Sequence, residues 1–204
     1  MAFLVRPATP ADPADGLLYT SAKPYYDAYA GSETRARALL AAVYRRTGHA
    51  ASYEVCTLVE LDGDMAGVAA WFPVDEGDRR ARRFVALTAP RVPPWRWPAL
   101  LRHLRAAGLV SLSPPLRTLY VDALAVAPEF RRRGVARALL TEAEQVARTA
   151  GLAGVALDTG LHNAPARSLY EGFGYRQREI RRAPNASVEA AIGGPGFVGY
   201  LKPL

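Results

Sequence analysis

Arg131, Arg132 and Arg133 stand immediately before Gly134, Val135, Ala136 and Arg137. Downstream, Ala136, Leu139, Ala143, Val146 and Ala147 recur on one stripe with Glu142, Glu144 and Arg148 elsewhere, the pattern of an amphipathic helix. The first amides of a helix lack intrahelical acceptors and carry the positive end of its dipole. Arginines gathered there repel one another unless an anion sits among them. Gly134 removes a Cβ where a ligand could approach the main chain, and small Ala136 keeps the next position clear. The chemistry such a turn can do is to cradle a diphosphate on backbone donors. A turn glycine among solvated arginines fits the same spacing, so the residues alone leave both readings open. Two other phosphate loops are disfavoured: no G-x-x-x-x-G-K-[ST] occurs, and "RGVARA" is not G-x-G-x-x-G.

Proton transfer has its own candidates. Asp122 is a carboxylate inside the otherwise apolar run "TLYVDALAV" (118–126), where a charge is costly unless used or paired. Simple alternation puts Tyr120, Asp122, Leu124 and Val126 on one face, opposite Val121, Ala123 and Ala125. Glu60 is a second candidate base. His49, His103 and His162 have no spacing that suggests a metal site, and each reads as a surface or capping residue. Cys56, in "YEVCTLVEL", reads as a small buried hydrophobe.

Elements must hold these groups. "FLVRPA" (3–8) reads as a first strand, and helical spacing follows over about 17–30 and 33–46, with Ser32 a plausible N-cap. Residues 53–73 read as a hairpin around Asp62-Gly63-Asp64, closed by Pro73. In 74–117, "DEGDRRARRFVAL" and "WRWPALLRHLRAAG" look helical. The strand 118–126, the helix after the arginines, ended by Gly151, and the strand 152–159 form a βαβ unit, so the two strands should run parallel. A helix over about 164–172 and two closing strands, "YRQREIRR" and "GFVGYLKPL", complete the chain.

The totals bound the function. The 204 residues suit one domain with an insertion, and half are hydrophobic. No apolar run approaches the roughly 18 residues that cross a bilayer, so no membrane partner is expected. The start lacks the pattern of a secretory signal, and a single cysteine excludes an internal disulfide, so a cytoplasmic location is expected. The net charge is +7, with 26 basic residues of which only Lys23 and Lys202 are lysine. "DRRARR" and "EIRR" read as solvated faces; no nucleic-acid module accompanies them, so no nucleic-acid partner is expected.

At two places the residues resemble a known family. "LAVAPEFRRRGVARALL" resembles the acyl-CoA signature [R/Q]-x-x-G-x-[G/A] of the GNAT-type N-acetyltransferases, filled by Arg131, Gly134 and Ala136. "HNAPARSLYEGFGYR" is similar to the family's second motif, matched by Asn163, Ala166, Leu169, Tyr170, Glu171, Gly174 and Tyr175. The close match covers about 118–176, the hairpin resembles the family more loosely, and the insertion of about 74–117 resembles it least.

The resemblance implies an α/β (α+β) fold over 1–204: a mixed, mostly antiparallel sheet with a central parallel strand pair that splays, flanked by helices. It implies acetyl-CoA as co-substrate. Pantetheine would pair with the backbone of Leu124, Ala125 and Val126, one of whose amides would polarise the thioester carbonyl. The pyrophosphate would take amides from about Arg132 to Arg137, including Val135. Asn163 would bond the pantetheine arm, beside Ala166. Tyr170 would be the acid that protonates the leaving thiolate, and Asp122 the base or amine anchor. Direct attack on acetyl-CoA by a primary amine, that of a small molecule, is the implied reaction; a protein N-terminal or lysine acetyltransferase and a non-catalytic acyl-CoA-binding regulator are the alternatives. Tyr25, Tyr26 and Tyr29, with Trp95 and Trp97, could wall an amine pocket or simply pack core and loops. A homodimer is compatible with the family, although no exposed apolar stripe marks an interface.

Overall fold

The computed structural model describes residues 3–204. Strand β1 (Phe3–Pro7) pairs antiparallel with β2 (Cys56–Leu61), and β2 with β3 (Asp64–Pro73). Between β2 and β3, Asp62 and Gly63 adopt φ of 55° and 94°, the left-handed pair that a two-residue hairpin turn needs. Strands β4 (Thr118–Val126), β5 (Gly154–Gly160), β6 (Arg176–Arg182) and β7 (Gly196–Pro203) complete one seven-stranded sheet in the order β1-β2-β3-β4-β5-β7-β6. All neighbours are antiparallel except β4 and β5, which are parallel as the βαβ reading requires. The fold is therefore the mixed, helix-flanked sheet that the family resemblance implies.

The helices are α1 (Asp15–Ser21), α2 (Lys23–Ala30), α3 (Glu33–Tyr44), α4 (Gly77–Thr88), α5 (Trp97–Leu109), α6 (Val135–Thr149), α7 (Ala164–Gly172) and α8 (Ala186–Ile192). The single helical stretch expected over 17–30 is two helices. They part at Ala22 (φ −142°, ψ 43°), because Pro24 has no amide to continue the ladder. Ser32 caps α3 by accepting from the Arg35 amide, as expected. Helix α8 was not foreseen, although Asn185 caps it and Gly193 (φ 77°) ends it.

Each face of the sheet carries a core. On one side α1–α3 pack on Cys56, Leu58, Val68, Ala70, Ala123 and Ala125. On the other, α6 sets Val135, Leu139, Leu140, Ala143 and Ala147 against Val59, Ala69, Leu119 and Val121. Each fully buried leucine here contributes roughly 2 kcal/mol. Glu144, read as outside the apolar stripe of α6, is in fact buried, and Lys202 of β7 donates to it at 2.6 Å.

Simple alternation along β4 fails, and the cause is a bulge. Ala123 pairs with Ala70 but Val121 pairs with Trp71, so Asp122 has no partner on β3. The extra residue moves every later side chain to the other face. Leu119, Val121, Leu124 and Val126 pack toward α6 and α7, whereas Tyr120, Ala123 and Ala125 face α1–α3. Asp122 therefore does not share a face with Leu124 and Val126.

Candidate active site

Strands β4 and β5 pair from Thr118 with Gly154 to Val121 with Leu157, and no further. Beyond that point β4 stays bound to β3 through Val126, and β5 stays bound to β7 through Gly160. Each strand is held on its outer edge while the inner edges part. The backbone of Asp122 to Val126, including Leu124, Ala125 and Val126, is thus left without a strand partner on the β5 side. Unpaired main-chain groups of this kind are what an extended ligand can use.

The fork opens into two cavities that meet. One, of about 230 Å³, runs between the strands and is lined by Leu124, Asn163, Ala166, Leu169 and Tyr170. The other, of about 670 Å³, lies over the α1–α2 side and is lined by Tyr25, Tyr26, Phe72 and Tyr120, with walls from α4 and from 107–116. Asp122 and Asp158, the first residues past the last β4–β5 pair, line both. The segment 74–117 therefore supplies part of the wall of the larger cavity.

Asp122 is exposed to the solvent of the cavity, although the walls around it are dense with protein. Burial first, and then the charge of Asp158, push its carboxyl up to about 7. Asp158 is raised by the same burial, but the Tyr120 hydroxyl donates to its Oδ2 and offsets part of that rise. Both carboxyls are thus raised, Asp158 with its anion partly supported by the Tyr120 hydroxyl, and Asp122 is poised to exchange a proton near neutrality. Asp158 was missed in the sequence. Its signal was the one that marked Asp122, a carboxylate in an apolar strand, here "GVALDTG".

Tyr170 is 6% exposed on the wall of the smaller cavity, its ring flanked by Tyr175 and Tyr200 at 6.2 and 5.8 Å between centroids. Burial and the Asp158 charge raise its phenol pKa, so it stays protonated and able to donate. Asn163 caps α7, accepting from the Ala166 amide at 3.3 Å, and donates to Thr159 Oγ1 at 3.0 Å. One Nδ2 hydrogen remains for a ligand beside its capping role.

The arginine turn sits at the start of α6. Gly134 has φ 90° and Arg132 φ 60°, and the first α6 region amide with a backbone acceptor is that of Ala138, on Gly134 O at 3.0 Å. The amides of Val135, Ala136 and Arg137 precede it and project from the helix end. Gly134 is needed first for its left-handed backbone; an added Cβ would lie 3.6 Å from Phe3, not in open space. Among the described residues, Arg131, Arg132, Arg133 and Arg137 form no salt bridge. Arg133 and Arg137 lie over the rings of Phe130 and Phe173 instead. Positive charge with no protein counterion is the condition a diphosphate would meet.

Other candidates fall away. Glu60 accepts from Arg6 at 2.8 Å, outside both cavities. His49 and His103 are not surface residues: they are buried, bonded to Val43 O and Ala191 O. His162 is exposed on the rim of the smaller cavity. Trp95 and Trp97 are 75% and 50% exposed and line neither cavity; Tyr29 is buried against Thr88. Only Tyr25 and Tyr26 of the expected aromatic wall face the larger cavity. Cys56 is buried, as expected, and burial pushes its thiol pKa up.

The sequence profile of the Acetyltransferase (GNAT) family matches residues 18–175. The ribosomal protein bS18 alanine N-acetyltransferase of Salmonella typhimurium is 39% identical over 59 residues, 29% of this chain and 40% of that protein. The chain spans between 21% and 40% of the length of the curated relatives it matches. Among solved structures, an N-acetyltransferase from Staphylococcus aureus Mu50 superposes with a TM-score of 0.72 at 14% identity, over 98% of this chain and 100% of that one. A GNAT acetyltransferase from Elizabethkingia anophelis, crystallised with acetyl-CoA, superposes with a TM-score of 0.55 at 15% identity, over 99% and 98% of the two chains.

Proposed function

The chain belongs to the acetyltransferase (GNAT) family, and from that premise we propose that it moves an acetyl group from acetyl-CoA to the primary amine of a small molecule. The observation that carries this reading is the fork between β4 and β5, with Asp122 and Asp158 at its apex and Tyr170 on its wall. The cavity of about 670 Å³ beside the fork supports a small acceptor, since pockets for such molecules run from roughly 300 to 1,000 Å³.

The roles follow from position. The open edge of Leu124 to Val126 binds the pantetheine arm as a strand would, and one of its amides faces the thioester oxygen. Asn163 and Ala166 flank the arm from α7. Amides from Arg132 to Arg137 and the unpaired guanidinium groups take the pyrophosphate. Asp158 holds the entering ammonium, and Asp122 accepts its proton. The freed nitrogen lone pair forms the N–C bond as the C–S bond breaks, the nitrogen gives its second proton to cavity water as Asp122 returns the first to solvent, and the thiolate takes the Tyr170 proton. Tyr170 then recovers a proton from solvent through the cavity.

Thiol release from acetyl-CoA over a panel of amines tests the reading. Tyr170→Phe should lower turnover at least tenfold, about 1.4 kcal/mol, while acetyl-CoA affinity measured by calorimetry stays nearly unchanged. Full turnover by this variant with a good amine would remove Tyr170 from the acid role.

A further inference from the structure

The larger cavity is acidic in a basic protein. Four carboxylates line it, Asp122 and Asp158 at the apex and Asp75 and Asp78 after the end of β3. Among the described residues, none that lines it is Arg or Lys, although the chain holds 26 of them. Among the described residues, none of the four carboxylates has a salt bridge, while nearby Glu54 and Glu76 are both paired with Arg80. Free acids gathered in one concave space, with arginine available next to them, leave a local field that draws cations whatever the net charge of +7.

The acids fall into two groups with aromatic rings between them. In the register of the sheet, Phe72 pairs with Tyr120, two residues from Asp122 on β4. Phe72 also lies three residues before Asp75, so the Phe72–Tyr120 pair, 5.9 Å between centroids, separates the two acidic ends. Tyr25 and Tyr26 of α2 add to that apolar wall. A ligand spanning the cavity therefore meets carboxylates, then rings, then carboxylates again.

Resting on the acetyl-transfer reading above, we propose that the acceptor carries two cationic groups on a flexible apolar spacer, as an alkane diamine does. The reacting ammonium enters between Asp122 and Asp158 and loses its proton there. The distal ammonium keeps its charge against Asp75 and Asp78, and the methylenes lie along Phe72, Tyr120, Tyr25 and Tyr26. The apex acids act on whichever amine is present, so selectivity for the second charge belongs to Asp75 and Asp78.

The test compares 1,6-diaminohexane with hexylamine, matched in chain length, on the full chain, by thiol release and by calorimetric binding. The diamine should exceed the monoamine at least tenfold in kcat/KM, mainly through KM, and at least tenfold in affinity. In the Asp75→Asn/Asp78→Asn double variant that ratio should fall at least tenfold, and in Asp75→Glu/Asp78→Glu it should be kept. Both positions are on the cavity rim and exposed, and a circular-dichroism melt checks that the variants fold. Equal kcat/KM and affinity for the two amines would overturn the proposal, as would a ratio untouched by the Asn pair. If no amine is turned over, the acetyl-transfer reading fails by itself; the binding ratio still decides this one.

Discussion

Asp122 shows how one residue's surroundings assign it a role. An aspartate in water is ionised well below neutrality, but burial and the Asp158 charge push this one up to about 7. The folded protein then binds this proton more tightly than the unfolded chain does. Stability from this group therefore falls as pH rises from the ordinary carboxylate range to about 7. The residue is costly to the fold at neutral pH, which is the expected signature of a group kept for chemistry. With Asp122 as base, kcat/KM should rise through about pH 7 and level off above it, because only the ionised form accepts the amine proton. Asp122→Asn should lower the plateau at least a hundredfold, in the range that removing a general base costs, and erase that inflection. An unchanged pH profile in the Asn variant would assign the base elsewhere. Tyr170 was legible as a family motif residue, but its protonated state follows from burial that no sequence displays.

At the scale of elements, the start of α6 joins a backbone requirement to a charge requirement. Gly134 sits at φ 90°, where any side chain is strained, and the amides that follow it project from the helix end. Gly134→Glu should abolish acetyl-CoA binding in calorimetry, through both the strain and a carboxylate placed where a diphosphate is to sit. Gly134→Ala separates the two effects: strain alone should cost about 1 kcal/mol of stability and leave measurable binding. Normal affinity in the Glu variant would remove the turn from the binding site. Strands and helices with their own punctuation were readable in the chain. Asp62-Gly63 set the hairpin, and Asn163 set the start of α7. Pro24 carries the break between α1 and α2, and Asn185 with Gly193 frames α8, signals that hydrophobic periodicity alone passes over. The bulge at Asp122 left no such mark. It arises from how β4 meets β3, where Val121 pairs with Trp71 and Ala123 with Ala70.

Across the whole molecule, Lys202 ties three elements together. Its ammonium on β7 donates to Glu144 of α6 at 2.6 Å and to the Phe173 carbonyl after α7 at 3.0 Å. Lys202→Met keeps the apolar stem but leaves Glu144 buried with only Arg148, at 3.4 Å, beside it. The variant should lose about 2 kcal/mol, less than a fully buried broken pair because Lys202 is partly exposed, and melt about 5 °C lower in a thermal scan. An unchanged Tm would mean that the pair contributes nothing net. This contact joins residues 58 positions apart, and no local pattern announces it. The two cavities are of the same kind. The sequence by itself determined the order of the strands and of most helices, the parallel β4–β5 unit and the family, because periodicity, caps, turns and motifs are local and survive in one dimension. Tertiary structure alone decided where β4 and β5 part, which face Asp122 takes, that Asp158 stands beside it, and that the segment 74–117 helps to wall an acidic cavity. Those outcomes depend on register and on burial, both of which are set by contacts between distant parts of the chain.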